Sequence, residues 1–202
     1  MSGIIAQNSG RHTGLVKASS GGGGVWNLIE TQTASSSATI SFTSGIDSTY
    51  DEYVFKFNNI HPATDGEIFS FQGNAAGGSG YNETITSTVF YAAHNEADTE
   101  AEMGYNSGFD QAQATTFVGL TDIGNENDQA CSGELHLYGI SSTTFVKHFI
   151  ATMINSQPSD YAYPRYIAGY INTTSAIDDI QFKMSSGNMD AGTIKLYGIK
   201  DS

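Results

Sequence analysis

The sequence predicts an all-β protein: an antiparallel β-sandwich of jelly-roll-like order, preceded by an extended N-terminal arm. Three observations predict it. Short apolar segments alternate with period two along most of the chain, Gly/Ser/Asn clusters separate them, and helical periodicity is weak throughout. Many short strands joined by such turns pack as a sandwich or close as a barrel.

Residues 1–24 stand apart from the rest. Their first eighteen positions are mildly apolar (Ile4, Ile5, Leu15, Val16), are broken by Gly3, Gly10 and Gly14, and follow neither period. Ser19 to Gly24 has the composition of a flexible linker. Such a segment buries too little apolar surface to offset its own ordering entropy. Two readings stand: a loose terminal tail, as chain ends often are, or a peptide that orders against a partner. In the second, Ile4, Ile5, Leu15 and Val16 make the apolar contacts and Arg11 and Lys17 the polar ones. The expected division is an anchoring arm with its linker at 1–24 and a β-sandwich domain at 25–202.

From Val25 the pattern is that of strands. Ala38 to Thr43 alternates, and Tyr53, Phe55 and Phe57 share one face with Lys56 and Asn58 on the other. Further strands are expected at 67–71, 84–93, 115–121, 131–138, 144–154, 165–171, 177–184 and 192–199. Residues 92–103 are expected to be an exposed loop with at most one helical turn, because Glu96, Asp98, Glu100 and Glu102 lack basic partners four residues on. Ser132 to Ile140 and Ala191 to Ile199 share the pattern small-Gly-x-aliphatic-x-Leu-Tyr-Gly-Ile. This echo predicts equivalent strands in the two halves of the sandwich, with glycines permitting bulges at their ends.

Composition narrows the function. At 202 residues the chain can bury a core without disulfides or metals. Charged residues make up only 14% of it, against about 25% in ordinary domains, so Ser, Thr, Asn, Gln and Gly must keep it in solution. The net charge of −13 is uneven: residues 1–24 carry +2, and residues 25–202, with 6 basic and 21 acidic groups, carry −15. Such a body repels phosphate backbones, so no nucleic-acid partner is expected. Its field also opposes self-association at low ionic strength. Cys131 is the only cysteine, which excludes an internal disulfide and suits a small buried residue. No apolar run approaches the roughly 18–20 residues of a membrane-spanning helix, and no membrane partner is expected. The N-terminus shows no secretory pattern, so synthesis in the cytoplasm is expected and the sequons at Asn82 and Asn172 are read as chance.

Signatures of known chemistry are missing. There is no Gly-x-Ser-x-Gly elbow and no phosphate-binding loop; Gly21 to Gly24 follows no strand, and Lys17 lies on its wrong side. His12, His61, His94, His136 and His148 show no metal-ligand spacing. Acid pairs such as Asp51-Glu52 and Asp178-Asp179 are uninformative among 21 acids, although a glycosidase needs two carboxylates about 5–10 Å apart. The oxygen-rich stretch 122–128 is read as a solvated turn; a Ca²⁺ loop is its alternative, without the spacing of an EF-hand. Neither a metal nor a cofactor is expected. The tyrosines are more telling: Tyr161, Tyr163, Tyr166 and Tyr170 cluster around Pro158 and Pro164. They form either a contact surface, since Tyr offers large area at low entropy cost, or strand-edge rings with hydroxyls in water.

Several stretches resemble a recurring kind of virion structural protein from tailed phages of marine bacteria, including cyanophages. They are Met1 to Ile5 with Gly14 to Lys17, the glycine run with Trp26, Thr31 to Ala38 through Asp47, and Ala176 to Asn188 through Gly192 to Ile199. The likeness covers both ends of the chain, and 75–130 and 155–165 carry none of it. It implies a jelly-roll-like sandwich, no enzymatic activity, and a place on the virion as short fibre, appendage or capsid decoration. Other virion proteins would be its partners, with copies of itself, by analogy trimers. One rival is a host-receptor or glycan-binding module that uses the 161–170 or 94–110 segment. The other is an enzyme such as a polysaccharide depolymerase, although depolymerising tailspikes are usually longer solenoids.

Overall fold

The computed structural model describes residues 25–200. The expected arm, with Ile4, Ile5, Arg11, Leu15, Val16 and Lys17, lies outside the described residues.

The chain forms β1 (Val25–Thr33), β2 (Ile40–Phe42), β3 (Glu52–Pro62), β4 (Glu67–Ala75) and β5 (Ile85–Asn95). Then come β6 (Ala101–Tyr105), β7 (Gln111–Ala114), β8 (Val118–Ile123), β9 (Cys131–Tyr138) and β10 (Lys147–Asn155). It ends with β11 (Tyr161–Ala162), β12 (Arg165–Ile171), β13 (Ile177–Met184) and β14 (Met189–Lys200). These strands make an antiparallel β-sandwich. A large sheet runs β1-β14-β3-β9-β10-β12-β5, with β11 continuing the register of β12 along β5 and with β6 and β7 on the other edge of β5. A small sheet runs β2-β13-β4-β8. The chain crosses between the sheets at nearly every step from β1 to β5, returns for β8, and crosses again for β13 and β14.

Alternation explains the layering. Phe55 and Phe57 point inward from β3, and Phe42, Phe69 and Phe182 point inward from the small sheet. The rings interlock edge to face: Phe42–Phe55 and Phe55–Phe182 at 5.0 Å, Phe57–Phe69 at 5.1 Å and Phe57–Phe182 at 5.3 Å. Each such pair adds about 0.5–1.5 kcal/mol beyond the area it buries. Phe71 against Phe149, at 5.1 Å, extends the layer under β10. Cys131 is buried in the same core, as expected of a small apolar residue, and burial pushes its thiol pKa up.

Two local expectations are corrected. Residues 92–103 are not a loop: β5 continues to Asn95 and pairs with β6, Phe90 opposite Tyr105 and His94 opposite Ala101. Asn95 closes the hairpin, its Oδ1 accepting from the backbone N–H of Thr99 and of Glu100 at 2.9 and 3.0 Å. Two of the acids that argued against a helix find tyrosine hydroxyls instead: Tyr91 donates to Glu102 and Tyr161 to Glu100. The echo strands, β9 and β14, do not lie in opposite halves. Both flank β3 in the large sheet, where Leu135 and Leu196 are each in register with Phe55. A shared pattern reports a shared environment, here two central strands against one neighbour. The expected glycine bulge is present in β14: Gly192 has φ of +115°, and a Cβ there would lie 2.7 Å from the Asn59 carbonyl and the Ile60 Cα.

Phe182 touches four other rings of the layer, so Phe182→Ala is expected to cost about 3–5 kcal/mol. Urea unfolding of the variant measures this.

Candidate functional site

The outer face of the large sheet is built by strands that are apolar on both sides. Along β10, Phe149, Ala151 and Met153 point into the core, and His148, Ile150, Thr152 and Ile154 point out. Register places Tyr170, Ala168 and Tyr166 of β12 beside His148, Ile150 and Thr152. Thr86, Thr88 and Phe90 of β5 continue the same rows, and Tyr105 of β6 follows Phe90. None of these outward positions carries a formal charge. Phe90 and Ile150 are each 49% exposed, and among the described residues no element covers them. Phe90 and Tyr166 stack at 4.9 Å. Small Ala168 leaves a shallow trough of about 460 Å³ floored by apolar atoms and bounded by Tyr138, His148, Ile150 and Tyr170.

Toward β1 the same face carries charges that are paired with one another. Lys56 lies 3.7 Å from Glu134 and 4.2 Å from the ring centre of Trp26. His136 bridges Glu52 at 2.5 Å and Glu134 at 3.2 Å, and Trp26 meets it edge on.

The four tyrosines singled out from the sequence do not act together. Tyr166 and Tyr170 lie on the outer face. Tyr161, on β11, lines a separate cleft of about 390 Å³ with His94, Glu96, Asn155 and Ser156. Tyr163 is not a surface contact. It is 8% exposed and packs between Tyr91, at 4.7 Å, and the guanidinium of Arg165, at 4.6 Å. Arg165 is itself buried, bonded to Asp122 at 2.8 Å and covered on its other side by Phe109 at 3.8 Å. This stack pins the start of β12 and the segment after β6, and so fixes the edge of the face. Ile150, Ile154 and Phe90 escaped the sequence reading, whereas Tyr105 lies within the 94–110 segment it offered as a contact surface. The signal of the first three was present: β10 and β5 carry apolar residues at both parities, which indicates contact on both faces.

The 122–128 stretch is a bonded turn. Asp122 receives Arg165 and both its oxygens accept from Gln157 at 2.9 and 3.0 Å. Among the described residues no three His, Cys, Asp or Glu side chains converge as metal ligands. The turn is fastened by His61, whose Nδ1 lies 2.7 Å from Asp190 and whose Nε2 lies 3.1 Å from the Glu126 carbonyl. Both neighbours are acceptors, so only the doubly protonated ring satisfies both. Burial disfavours that charge, but the bonds to Asp190 and Glu126 outweigh it and hold the His61 pKa above its ordinary value of 6.5.

A raised folded-state pKa contributes stability that is fully present below 6.5 and lost as pH rises through the His61 value. The urea midpoint should therefore fall between pH 6 and pH 8.5, and His61→Gln should remove most of that fall. Comparison of the chain with protein-family profiles, with curated proteins and with solved structures finds no match.

Proposed function

We propose that this chain is a structural and contact component of a bacteriophage virion, a short fibre, appendage or capsid decoration, and that its work is assembly and not catalysis. The observation that carries this is the uncharged, apolar outer face of β10, β12 and β5 on an otherwise acidic body. It presents ring faces, methyl groups and hydroxyls, which serve binding by contact. The strand order adds support. β1-β14-β3-β9 facing β2-β13-β4-β8 has the alternation of an eight-stranded jelly roll, with β5–β7 and β10–β12 as insertions that widen one sheet. Double-sheet jelly rolls recur in viral capsid and lectin domains, an analogy of fold that leaves function to the surface. The resemblance of both chain ends to tailed-phage structural proteins points the same way. Residues 1–24 would dock on other virion proteins, cationic arm against particle, and leave the acidic sandwich projecting.

Deleting residues 1–20 is expected to abolish incorporation into particles and leave a folded, soluble sandwich. Quantitative mass spectrometry of purified particles checks this, and full incorporation of the truncated chain would refute the docking role.

A second reading, a tail module that binds host glycan, is favoured by the β5–β6 edge. There Tyr91, Tyr105 and Tyr161 hold their hydroxyls against Glu102, Asp110 and Glu100. The bond to Glu102 is the largest of several causes that push the Tyr91 pKa up to about 12. Rings beside carboxylate acceptors are the groups that stack on and hydrogen-bond to sugars. Binding to isolated host lipopolysaccharide, lost in a Tyr105→Ala/Tyr161→Ala double variant, is the expected result of this reading.

A further inference from the structure

We infer that the outer face of β10, β12 and β5 is covered by a second copy of this chain. The chain carries 21 acidic groups, and none occupies an outward position on these three strands. The neighbouring outward acids have partners within the chain, Glu134 beside Lys56 and Glu52 bonded to the His136 ring. Two copies therefore bring this face together without opposing their acids. A basic partner would be drawn to the acidic groups elsewhere and away from this uncharged face. An anionic polymer would be repelled by the body as a whole.

The size of the face fits the same occupant. Together with its bordering strands, β3 and β9 with their bonded charged groups on one side and β6 on the other, it spans six strands. With strands about 4.8 Å apart and about 3.3 Å per residue over about seven residues, it covers roughly 650 Å². Each partner in a stable interface contributes roughly 800 Å². The apolar groups lie at its middle, Ile150, Tyr166 and Phe90, and the paired charges at its rim, as in an interface with a desolvated centre. Trp26, the single tryptophan, stands 39% exposed at the far edge and remains a probe of the folded state.

The inference concerns the free protein, so it stands or falls apart from the virion reading: a chain that self-associates yet never enters particles refutes that reading alone. The test is sedimentation velocity of the full chain, whose monomer mass is 21.5 kDa. The expected result is a species of at least twice that mass, and more of it at 500 mM than at 50 mM salt, because screening weakens the repulsion between acidic bodies. Ile150→Glu should raise the dissociation constant by at least about a hundredfold, since burying like charges face to face costs several kcal/mol. Thr39→Glu, at an exposed position beside the small sheet, should leave it unchanged. Unchanged Trp26 emission in Ile150→Glu would show that the variant is folded. A monomer at both salt concentrations, or undiminished assembly of a folded Ile150→Glu, overturns the inference. So does a monomer that associates only after residues 1–24 are removed, which would make the arm the occupant.

Discussion

Phe182 is the point through which the two sheets are held in register. Its ring contacts Phe42, Phe55, Phe57 and Phe69, and so joins β13 to β2, β4 and β3 at once. Period-two alternation makes this contact all-or-none. A slip of one residue in β13 would replace Phe182 by Lys183 or Gln181 and set a polar group among four rings. The inward parity of every neighbouring strand follows from satisfying this layer. The outward parity, which carries the binding surface, is what remains.

That surface depends on the large sheet being wider than the small one. Beyond β9 the inner sides of β10, β12 and β5 still need cover, and Phe71, Val118 and Leu120 from the edge of the small sheet supply it, with Phe109 reaching over Arg165. Buried charges fasten the starts of the same strands. Lys147 opens β10 with its ammonium donating to the carbonyls of Phe145 and Thr173 at 2.7 and 3.1 Å, and burial pushes its pKa down. Arg165 opens β12 against Asp122, with its Nε left without a partner. Apolar side chains could fill such sites at less cost in desolvation. What a paired cation adds is direction, since Lys147 and Arg165 accept only the orientation in which their partners are met. A flat strand with apolar residues on both faces has little else to say which face goes in.

The distribution of charge then gives the exterior its orientation. Lys56, Glu134, His136 and Glu52, bonded to one another, frame the uncharged area on one side. Acids gather at the β5–β6 hairpin and at the turns instead, where Tyr91, Tyr105 and Tyr161 hold several of them. Close approach over the outer face of β10, β12 and β5 thus meets no opposing acid on those strands.

The all-β class, most of the strands from Val25 to Ile199 and the buried cysteine were legible because alternation and turn chemistry are local properties. The hairpin of β5 and β6 was not, because Glu102 and Glu100 gain their hydroxyl partners, Tyr91 and Tyr161, only once β6 and β11 lie against β5. Nor was the kinship of β9 and β14, since like sequences reveal like surroundings but not which strand lies between them. Tyr163 and Tyr166 show the limit most plainly. They stand three residues apart and look alike in the sequence, yet one is clamped against Arg165 and the other faces water. By itself the sequence determined which residues alternate, where the chain turns and how much charge it carries. Only the tertiary structure decided that three twice-apolar strands lie side by side with one face left uncovered by the other described residues, because sheet order is set by contacts between residues far apart in the chain.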